Sequence, residues 1–358
     1  MSALAERKRV VVVGGGIGGA FSAKLLEDSS DVTLIDPKDH LEIPYGQLRC
    51  TVQPDFAERS LVLHSEYLKK ARHILGFAEC ASVTEVVTST GDILPYDFLV
   101  IATGSTHKGP STKAERIKEF QSENKKLKEA KKTLIIGGGP VGVELAGEIV
   151  VDFPEKKVVL AHGGDRLIEF LGPKASSKTF SWLKKKHVDI RLHEKVNLDS
   201  VSASSHVYTT SSGDSIEADC HFLCVGKKIS SSWMQSTVLG ENLDENGRLK
   251  VDDYLRVEGH SNIFAVGDIT AIKEIKQGFL AGKHAEVVAD NVKRLSQDPD
   301  SKLNVYKPLA TPMGIVSLGR RIAVAQLPFG TILGWIPGML KSKDLFVGKT
   351  RKTLGLNS

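Results

Sequence analysis

The chain has 358 residues, of which 41% are hydrophobic and 25% charged, and its formal net charge is +5. This composition excludes a disordered or fibrous chain, and the length predicts two to three globular domains. The four cysteines have neither the spacing of a disulfide framework nor that of a metal site, so we expect no bound metal.

Two glycine-rich segments stand at corresponding places in the chain. Each follows a short apolar run, at 10–13 in the first case and at 134–136 in the second, and each precedes a predicted helix. Because a strand, a glycine turn and a helix N-terminus together form a seat for a pyrophosphate, each segment predicts a dinucleotide site. The residues assigned to the first site are Gly14, Gly15, Gly16, Ile17, Gly18 and Gly19, and those assigned to the second are Gly137, Gly139 and Gly142.

The spacing of later turns indicates that the two segments belong to a repeat. A Gly-Asp turn follows the first glycine after 77 residues in the first copy, from Gly14 to Gly91, and after 76 in the second, from Gly137 to Gly213. Two such motifs in one frame predict an α/β protein with two Rossmann-like domains, each of which holds a dinucleotide.

The two copies differ at the end of their second predicted strand. The first copy has Asp36 there, and a carboxylate can accept hydrogen bonds from a ribose diol. The second copy has His162, with Arg166 close behind it, and either Arg166 or Lys157 could attract a 2′-phosphate. Alternatively, His162 is a solvated loop residue. We therefore expect NADH or NADPH at the second site, without strong exclusion of either.

A third motif places the chain back in its first domain. The apolar run 262–266 ends in Gly267 and Asp268, and a predicted helix follows near 278–295. The Asp268 carboxylate could accept from a flavin ribityl hydroxyl, and the helix dipole would stabilise negative charge on a reduced flavin. The predicted domains are an FAD-binding domain (1–110 and 235–302), an NAD(P)H-binding domain (111–234) and a small C-terminal α+β domain with a basic tail (303–358).

These motifs resemble the flavoproteins with two dinucleotide-binding domains of the glutathione-reductase type. Within that group the chain is similar to the NAD(P)H:quinone oxidoreductases related to ferroptosis-suppressor protein and apoptosis-inducing factor. The resemblance extends over nearly the whole chain and is carried by the first glycine motif and by the segments 97–105, 142–149, 257–262, 265–268 and 343–347. It implies FAD at the first copy and a nicotinamide nucleotide at the second.

The resemblance also implies roles for individual residues at the cofactors. Thr103 and Gly104 end the matched segment 97–105 and are assigned to FAD binding. Arg49 is implied near the FAD phosphates, and the backbone near Ala78 is implied against the adenine.

Two residues are implied at the reacting rings. Lys276 would lie close to the flavin, and Glu144 would point toward the contact between nicotinamide and flavin. Alternatively, Lys276 is a solvated loop lysine, and Glu144 only complements the dipole of its helix.

The expected mechanism has no internal dithiol. No Cys-x-x-Cys pair occurs near Pro44 or Tyr45, where a disulfide reductase would carry one. Electrons must then leave the flavin directly for a diffusible acceptor, of which a quinone is the leading candidate. The alternatives are a monodehydroascorbate-type or ferredoxin-type reductase and a flavin-bound redox signalling protein.

The C-terminal tail holds the excess positive charge. Residues 320–358 contain seven basic residues and one acidic residue, and an uncharged stretch runs from 322 to 340. The favoured interpretation is a pair of buried strands, and the alternative is peripheral contact with an anionic membrane. No aromatic residues interleave the basic ones in the manner of a nucleic-acid site, so we do not expect nucleic acid as a partner. The sequence does not define an oligomeric state.

We expect a cytoplasmic protein, peripheral to a membrane if it meets one. The first predicted strand begins near Arg9, which leaves no room for a signal or transit peptide, and Ser2 excludes N-myristoylation.

Overall fold

The computed structural model describes residues 7–106, 109–202 and 204–357, so Ser2 lies outside the described residues. The first unit alternates strands and helices, as its apolar runs predict. Its elements are β1 (Arg9–Val13), α1 (Ile17–Leu26), β2 (Asp31–Asp36), β3 (His40–Glu42), α2 (Gln47–Val52), α3 (Ala57–Ser60), β4 (Leu61–Leu63), α4 (His64–Tyr67), β5 (Arg72–Leu75), β6 (Ala78–Ala81), β7 (Glu85–Thr88), β8 (Ile93–Pro95) and β9 (Phe98–Ile101).

The second unit repeats this arrangement. Its elements are α5 (Lys113–Glu129), β10 (Lys132–Ile136), α6 (Pro140–Asp152), β11 (Lys157–Ala161), α7 (Pro173–Lys185), β12 (Asp189–Arg191), β13 (Val207–Thr209), β14 (Ser215–Glu217) and β15 (Cys220–Leu223). Strands β12, β11, β10 and β15 form a parallel sheet in that order. The carboxyl ends of β10 and β11 therefore meet at one edge, beside the second glycine turn.

The chain then returns to the first unit. Strand β16 (Ile263–Ala265) pairs in parallel with β9 and completes the sheet order β16-β9-β1-β2-β5. A short 3₁₀ helix (Gly267–Ile269) follows, and α8 (Gly278–Gln297) then packs along α1. This connection agrees with a discontinuous first domain, while the exact domain boundaries stay predictions.

The apolar strands are buried on both faces of the first sheet. Val10 and Val12 pack with α1 and α8 on one face, whereas Val11 and Val13 pack with strands β6, β7 and β8 on the other. Near-continuous apolar runs are typical of parallel strands covered on both sides. The predicted α/β class with Rossmann-like domains is confirmed.

The C-terminal segment forms an antiparallel sheet and two short helices. Its elements are β17 (Gly314–Leu318), β18 (Ile322–Leu327), β19 (Gly330–Gly334), α9 (Trp335–Leu340) and α10 (Val347–Thr353). Val316, Leu318 and Val324 join the core around α6, so this segment packs against the second unit.

The interpretation of 322–340 as a pair of buried strands is only partly right. Ala323–Ala325 in β18 are buried, but most of β19 is at least partly exposed, and 335–340 is helical. Pro337 lies in the first turn of α9, where a missing N–H removes no helical hydrogen bond.

Candidate functional site

The two glycine turns have the same geometry. Gly14 has φ +102° and Gly137 has φ +117°, a region that other residues rarely adopt. A side chain at Gly19 would collide with the carbonyl oxygen of Gly14, and the corresponding collision occurs at Gly142. Helix and strand therefore approach closely at both turns, as a pyrophosphate seat requires.

The space in front of each turn is open. A Cβ added at Gly16 or at Gly139 would meet no atom within 4 Å, and each of these glycines is the N-cap of its helix. The first N–H groups of α1 and α6 thus face a cradle that a phosphate can fill. Ile17 and Gly18 lie in the first turn of α1, where Gly18 packs against Val266.

Asp36 lies at the first turn. Its carboxylate accepts a hydrogen bond from the Gly15 N–H, and the residue is only 4% exposed. Burial alone would raise the pKa of Asp36, but the neighbouring His64 imidazole and the Lys38 charge outweigh it and lower the pKa to about 2. Asp36 is therefore an anionic acceptor, which suits a ribose diol.

His162 occupies the corresponding place at the second turn. Its Nδ1 accepts a hydrogen bond from the Gly138 N–H at 3.2 Å, so it is more than a solvated loop residue. A cavity of about 90 Å³ opens beside it and is lined by Glu194 and Lys195 among others. We infer that this cavity belongs to the adenosine half of the nicotinamide nucleotide.

The two cations considered for a 2′-phosphate do not reach this place freely. The Arg166 guanidinium donates to the backbone oxygens of Leu171 at 2.6 Å and Glu169 at 2.8 Å. Lys157 is the first residue of β11, whereas His162 follows its last, so Lys157 lies at the wrong end of the strand. Lys195 is the cation that the structure offers instead, and no motif in the sequence marked it.

Asp268 and Lys276 interact at the third motif. Gly267 has φ +76° and opens the turn that carries Asp268. Burial raises the pKa of Asp268, while the charges of Lys276 and Arg248 act in the opposite direction. Burial also lowers the pKa of Lys276, which donates to Thr270 Oγ1 and to the Ile272 carbonyl. Lys276 is thus a held side chain, not a solvated loop lysine.

Glu144 is partnered by residues far away in the sequence. Its Oε1 accepts from Lys341 Nζ at 2.5 Å and from the Ser317 N–H at 2.8 Å, and Lys341 is only 7% exposed. Lys341 Nζ also lies 5.8 Å from the centre of the Tyr45 ring. The carboxylate therefore does more than complement a helix dipole, since it ties α6 to the C-terminal segment.

Tyr45 connects the two halves of the site. Burial raises the pKa of its phenol, and the charges of Asp268 and Glu144 act in the same direction. The negative charges of Asp268, in the third motif, and of Glu144, at the start of α6, therefore both act on the Tyr45 phenol. Tyr45 stands where disulfide reductases carry a redox cysteine, and its polar role was not predicted from the sequence.

The structure gives Arg49 a different role from the one implied for it. Its guanidinium bonds Glu148 at 2.8 and 3.2 Å and the carbonyl oxygens of Ser342 and Lys343. Arg49 therefore joins α2 to α6 and to the C-terminal segment. Four of its five N–H groups are used in these bonds and the residue is only 3% exposed, so the described contacts favour a structural role over one at the FAD phosphates.

The remaining predicted FAD residues lie along the first sheet. Thr103 and Gly104 follow β9, and Thr103 Oγ1 is buried without a hydrogen-bond partner. Ala78 is the first residue of β6, is buried, and pairs with Thr88 of β7. An unsatisfied buried hydroxyl beside the glycine turn is a group that a bound cofactor can satisfy.

Within the described part of the chain, no group of three or more His, Cys, Asp or Glu side chains could hold a metal ion. None of the helices within residues 7–106, 109–202 and 204–357 is both long and apolar enough to cross a bilayer.

Comparison with known proteins decides the family. Residues 8–286 match the family described as pyridine nucleotide-disulphide oxidoreductase. The chain belongs to this family. Ferroptosis suppressor protein 1 of Xenopus tropicalis is 34% identical, over 98% of this chain and 96% of its own. Apoptosis-inducing factor homolog B of Dictyostelium discoideum is 31% identical, over 96% of each chain.

A solved structure agrees at the level of the fold. The sulfide:quinone oxidoreductase of Aquifex aeolicus superposes with a TM-score of 0.76 at 18% identity, over 97% of this chain and 92% of its own. The resemblance that the sequence motifs carried is confirmed. This pyridine nucleotide-disulphide oxidoreductase is an NAD(P)H-dependent flavoenzyme that uses FAD.

This member of the family carries no disulfide between its cysteines. Cys50, Cys80, Cys220 and Cys224 are all free. Burial raises the pKa of Cys50 and of Cys224 to about 12, which keeps both thiols protonated and unreactive.

Proposed function

We propose that the enzyme passes hydride from NAD(P)H to FAD and then gives the electrons directly to a quinone. The observation that carries the acceptor class is a cavity of about 370 Å³ lined by Ile275 and Gln277, the two residues that flank Lys276 in the sequence. The rest of the lining includes the apolar Leu280, Leu309, Pro312 and Met313 and the charged Lys273 and Glu274. An apolar cleft with a few polar groups suits a flat ring with two carbonyl oxygens.

The chain's own residues supply binding and electrostatics. Bound FAD supplies the redox chemistry between the nicotinamide and the acceptor. The glycine turns at Gly14 and Gly137 hold the two pyrophosphates, and Asp36 holds a ribose. Lys276 places positive charge beside the flavin and next to the cavity, where it favours an anionic reduced ring and orients an acceptor carbonyl. Glu144, fixed by Lys341, positions the nicotinamide side of the contact.

The relatives support this proposal. Ferroptosis suppressor proteins align over nearly the full length, and the sulfide:quinone oxidoreductase, which shares the fold, acts on a quinone by its name. All four cysteines are free, and burial raises the pKa of Cys50 and of Cys224 to about 12. Both observations favour direct electron transfer from the flavin to the acceptor, without a dithiol relay.

An acceptor panel tests the proposal. NADH and NADPH oxidation are measured with short-chain quinones, with ascorbate radical and with an iron–sulfur protein, using wild type, Lys276→Ala and the exposed control Lys250→Ala. We expect the highest kcat/KM with quinones, a loss of about ten- to a hundredfold in Lys276→Ala, and no loss in the control. A preference for either other acceptor, or wild-type turnover in Lys276→Ala, contradicts the proposal.

We also propose that the C-terminal segment contacts an anionic membrane surface, where a lipid-soluble quinone would be found. Seven large apolar side chains between 327 and 340 are exposed, and Phe329 at the β18–β19 turn is 98% exposed. The others are Leu327, Ile332, Trp335, Ile336, Met339 and Leu340. The exposed basic residues of this segment complement an anionic lipid surface, and they are Arg321, Lys343, Lys349 and Lys352. The cytoplasmic location stays a prediction.

Vesicle flotation tests this contact. We expect wild type to float with vesicles that contain anionic phospholipid and to float more weakly with neutral vesicles. The double variant Phe329→Ser/Trp335→Ser should stay in the soluble fraction. Ile93→Ser removes a similarly exposed apolar side chain from β8 and serves as the matched control. The rate of ferricyanide reduction should be the same in wild type, in the double variant and in Ile93→Ser. Flotation of the double variant as strong as that of wild type excludes this surface.

A further inference from the structure

A buried chain of polar side chains ends at the third motif. His284 in α8 accepts a hydrogen bond from the Gly267 N–H at its Nδ1, over 3.0 Å. Its Nε2 lies 2.8 Å from Glu274 Oε1, and the Tyr306 hydroxyl donates to Glu274 Oε2 at 2.8 Å. His284 is 1% exposed, the Glu274 side chain is 2% exposed and Tyr306 is 7% exposed. Glu274 also lines the cavity of about 370 Å³, whereas His284 and Tyr306 do not line it.

The hydrogen bonds allow one tautomer of His284. Since Nδ1 accepts from a backbone N–H, it carries no proton, and the proton of the neutral ring is on Nε2. That proton is donated to Glu274, whose carboxyl group is in turn held by Tyr306. Burial lowers the pKa of His284 to about 4 despite the nearby Glu274, so the ring is neutral near pH 7. The Tyr306 ring packs edge-on to the imidazole at 4.3 Å and fixes its plane.

These hydrogen bonds extend to the two residues proposed at the flavin, Asp268 and Lys276. The Gly267 peptide opens the turn that carries Asp268, and Thr270 Oγ1 donates to the Gly267 carbonyl at 2.9 Å. Thr270 is also bonded by Lys276 Nζ. Glu274 lies two residues before Lys276, so its bonds to His284 and Tyr306 pin the segment from which Lys276 projects.

We propose that His284 is a positioning residue for FAD, which orients the Gly267 peptide through Nδ1 while Glu274 and Tyr306 fix its tautomer. The inference rests on the proposed flavin site at Gly267 and Asp268. Without the acceptor on His284, the Gly267 N–H would be buried and unpaired, and the turn would relax away from the cofactor. His284 is buried and its bonds are to the Gly267 N–H and to Glu274, so we expect an effect on FAD binding and not on the chemical step.

Two amide variants separate the nitrogens of the ring. In His284→Asn the amide oxygen lies near the position of Nδ1 and can still accept from Gly267. In His284→Gln the amide nitrogen lies near the position of Nε2 and keeps the donor to Glu274, but the acceptor for Gly267 is lost. Both variants shrink a buried ring and should lose similar thermal stability. His206→Gln, at an exposed position, is the control.

The readout is FAD affinity, measured by titrating apoprotein and following flavin fluorescence. We expect His284→Gln to bind FAD about tenfold more weakly than wild type, as for one lost buried hydrogen bond, and His284→Asn to lose clearly less. NADH affinity should be unchanged in both. Equal losses in the two variants, a larger loss in Asn, or no loss in either overturns the inference. Wild type that binds no FAD would instead defeat the proposed function itself.

A measurement without mutation covers the case in which neither variant folds. Long-range proton–nitrogen NMR of ¹⁵N-histidine-labelled holoenzyme reports which ring nitrogen carries the proton. We expect His284 to be neutral at pH 7 with its proton on Nε2. A proton on Nδ1 cannot coexist with acceptance from Gly267 and overturns the inference.

Discussion

Lys341 and Glu144 form a buried ion pair at the start of α6. The Lys341 ammonium also donates to the Ile315 carbonyl, so its loss leaves two buried acceptors without a partner. Removing one member of a buried pair typically costs far more than removing both, because the remaining charge stays buried.

Replacement of Lys341 by methionine tests this pair. We expect Lys341→Met to lose about 3–5 kcal/mol of unfolding free energy in urea titrations, and to lower NAD(P)H oxidation because Glu144 is released. Lys343→Met, two residues later and exposed, is the control and should change neither quantity. If the two variants behave alike, the ion pair carries no weight in stability or function.

Asp36 gives the fold a defined acid sensitivity. Its pKa lies at about 2 in the folded protein, below the ordinary value of 3.8, because the His64 contact and the Lys38 charge outweigh the effect of burial. Since the folded-state value is the lower one, this stabilisation is complete above pH 4 and is lost as the pH falls toward 2. It amounts to about 2 kcal/mol.

Comparison with Asp36→Asn isolates this contribution. Between pH 6 and pH 3, the unfolding free energy of wild type should fall more steeply than that of the variant, because the amide does not titrate. Urea unfolding at several pH values measures both slopes. Parallel slopes would mean that Asp36 titrates normally in the folded protein.

At the scale of elements, Arg49 joins three parts of the molecule. It links α2 to Glu148 on α6 and to the backbone that follows α9, while Arg320 extends the same network to Glu148 and Asp152. A guanidinium makes these bonds in several directions at once, which a lysine cannot do.

The variant Arg49→Lys keeps the positive charge and removes the guanidinium group, which forms hydrogen bonds in several directions. We expect it to lose about 2 kcal/mol of unfolding free energy and to keep wild-type affinity for FAD, since the Arg49 guanidinium is buried and bonded to Glu148 and to the backbone that follows α9. Arg59→Lys, at an exposed pair with Asp344, should change stability by less than about 0.5 kcal/mol. A large loss of FAD affinity with unchanged stability would restore the phosphate role instead.

Local pattern predicted some elements well and others poorly. The glycine turns, the strands before them and α8 follow from apolar runs and turn residues that lie together in the sequence. Helix α9 did not follow, because its apolar, glycine-rich sequence fits a strand equally well, and packing against β18 decides between them. The Gly-Asp turn whose spacing indicated the repeat lies between β7 and β8, which pair with each other in antiparallel fashion.

At the scale of the whole molecule, the repeat determined what could be predicted. Two copies of one motif imply two parallel sheets with a site at each glycine turn, and Asp36 and His162 were predicted in this way, whereas Asp268 was predicted from the separate third motif. Lys341 meets Glu144 across 197 residues, and Glu274 meets Tyr306 across 32, with no motif to mark either contact. Such contacts depend on how the units pack, which no local pattern contains.

We propose that the two nucleotide sites meet near Tyr45, with no disulfide among the four cysteines. Tyr45 lies near Asp268 of the first unit and Glu144 of the second, and the four cysteines are free. The flavin should therefore take up one hydride, and the protein should hold no further reducing equivalents. Family members with a redox-active disulfide would take up twice as many electrons before full reduction.

An anaerobic titration tests this central claim most directly. Purified holoenzyme is reduced with NADH or NADPH while flavin absorbance is followed, and a soluble quinone is then added. We predict complete bleaching by about one equivalent of nucleotide per FAD and rapid return of the oxidised spectrum with quinone. A requirement for two equivalents, absence of bleaching, or a reduced flavin that quinone fails to reoxidise would contradict the account.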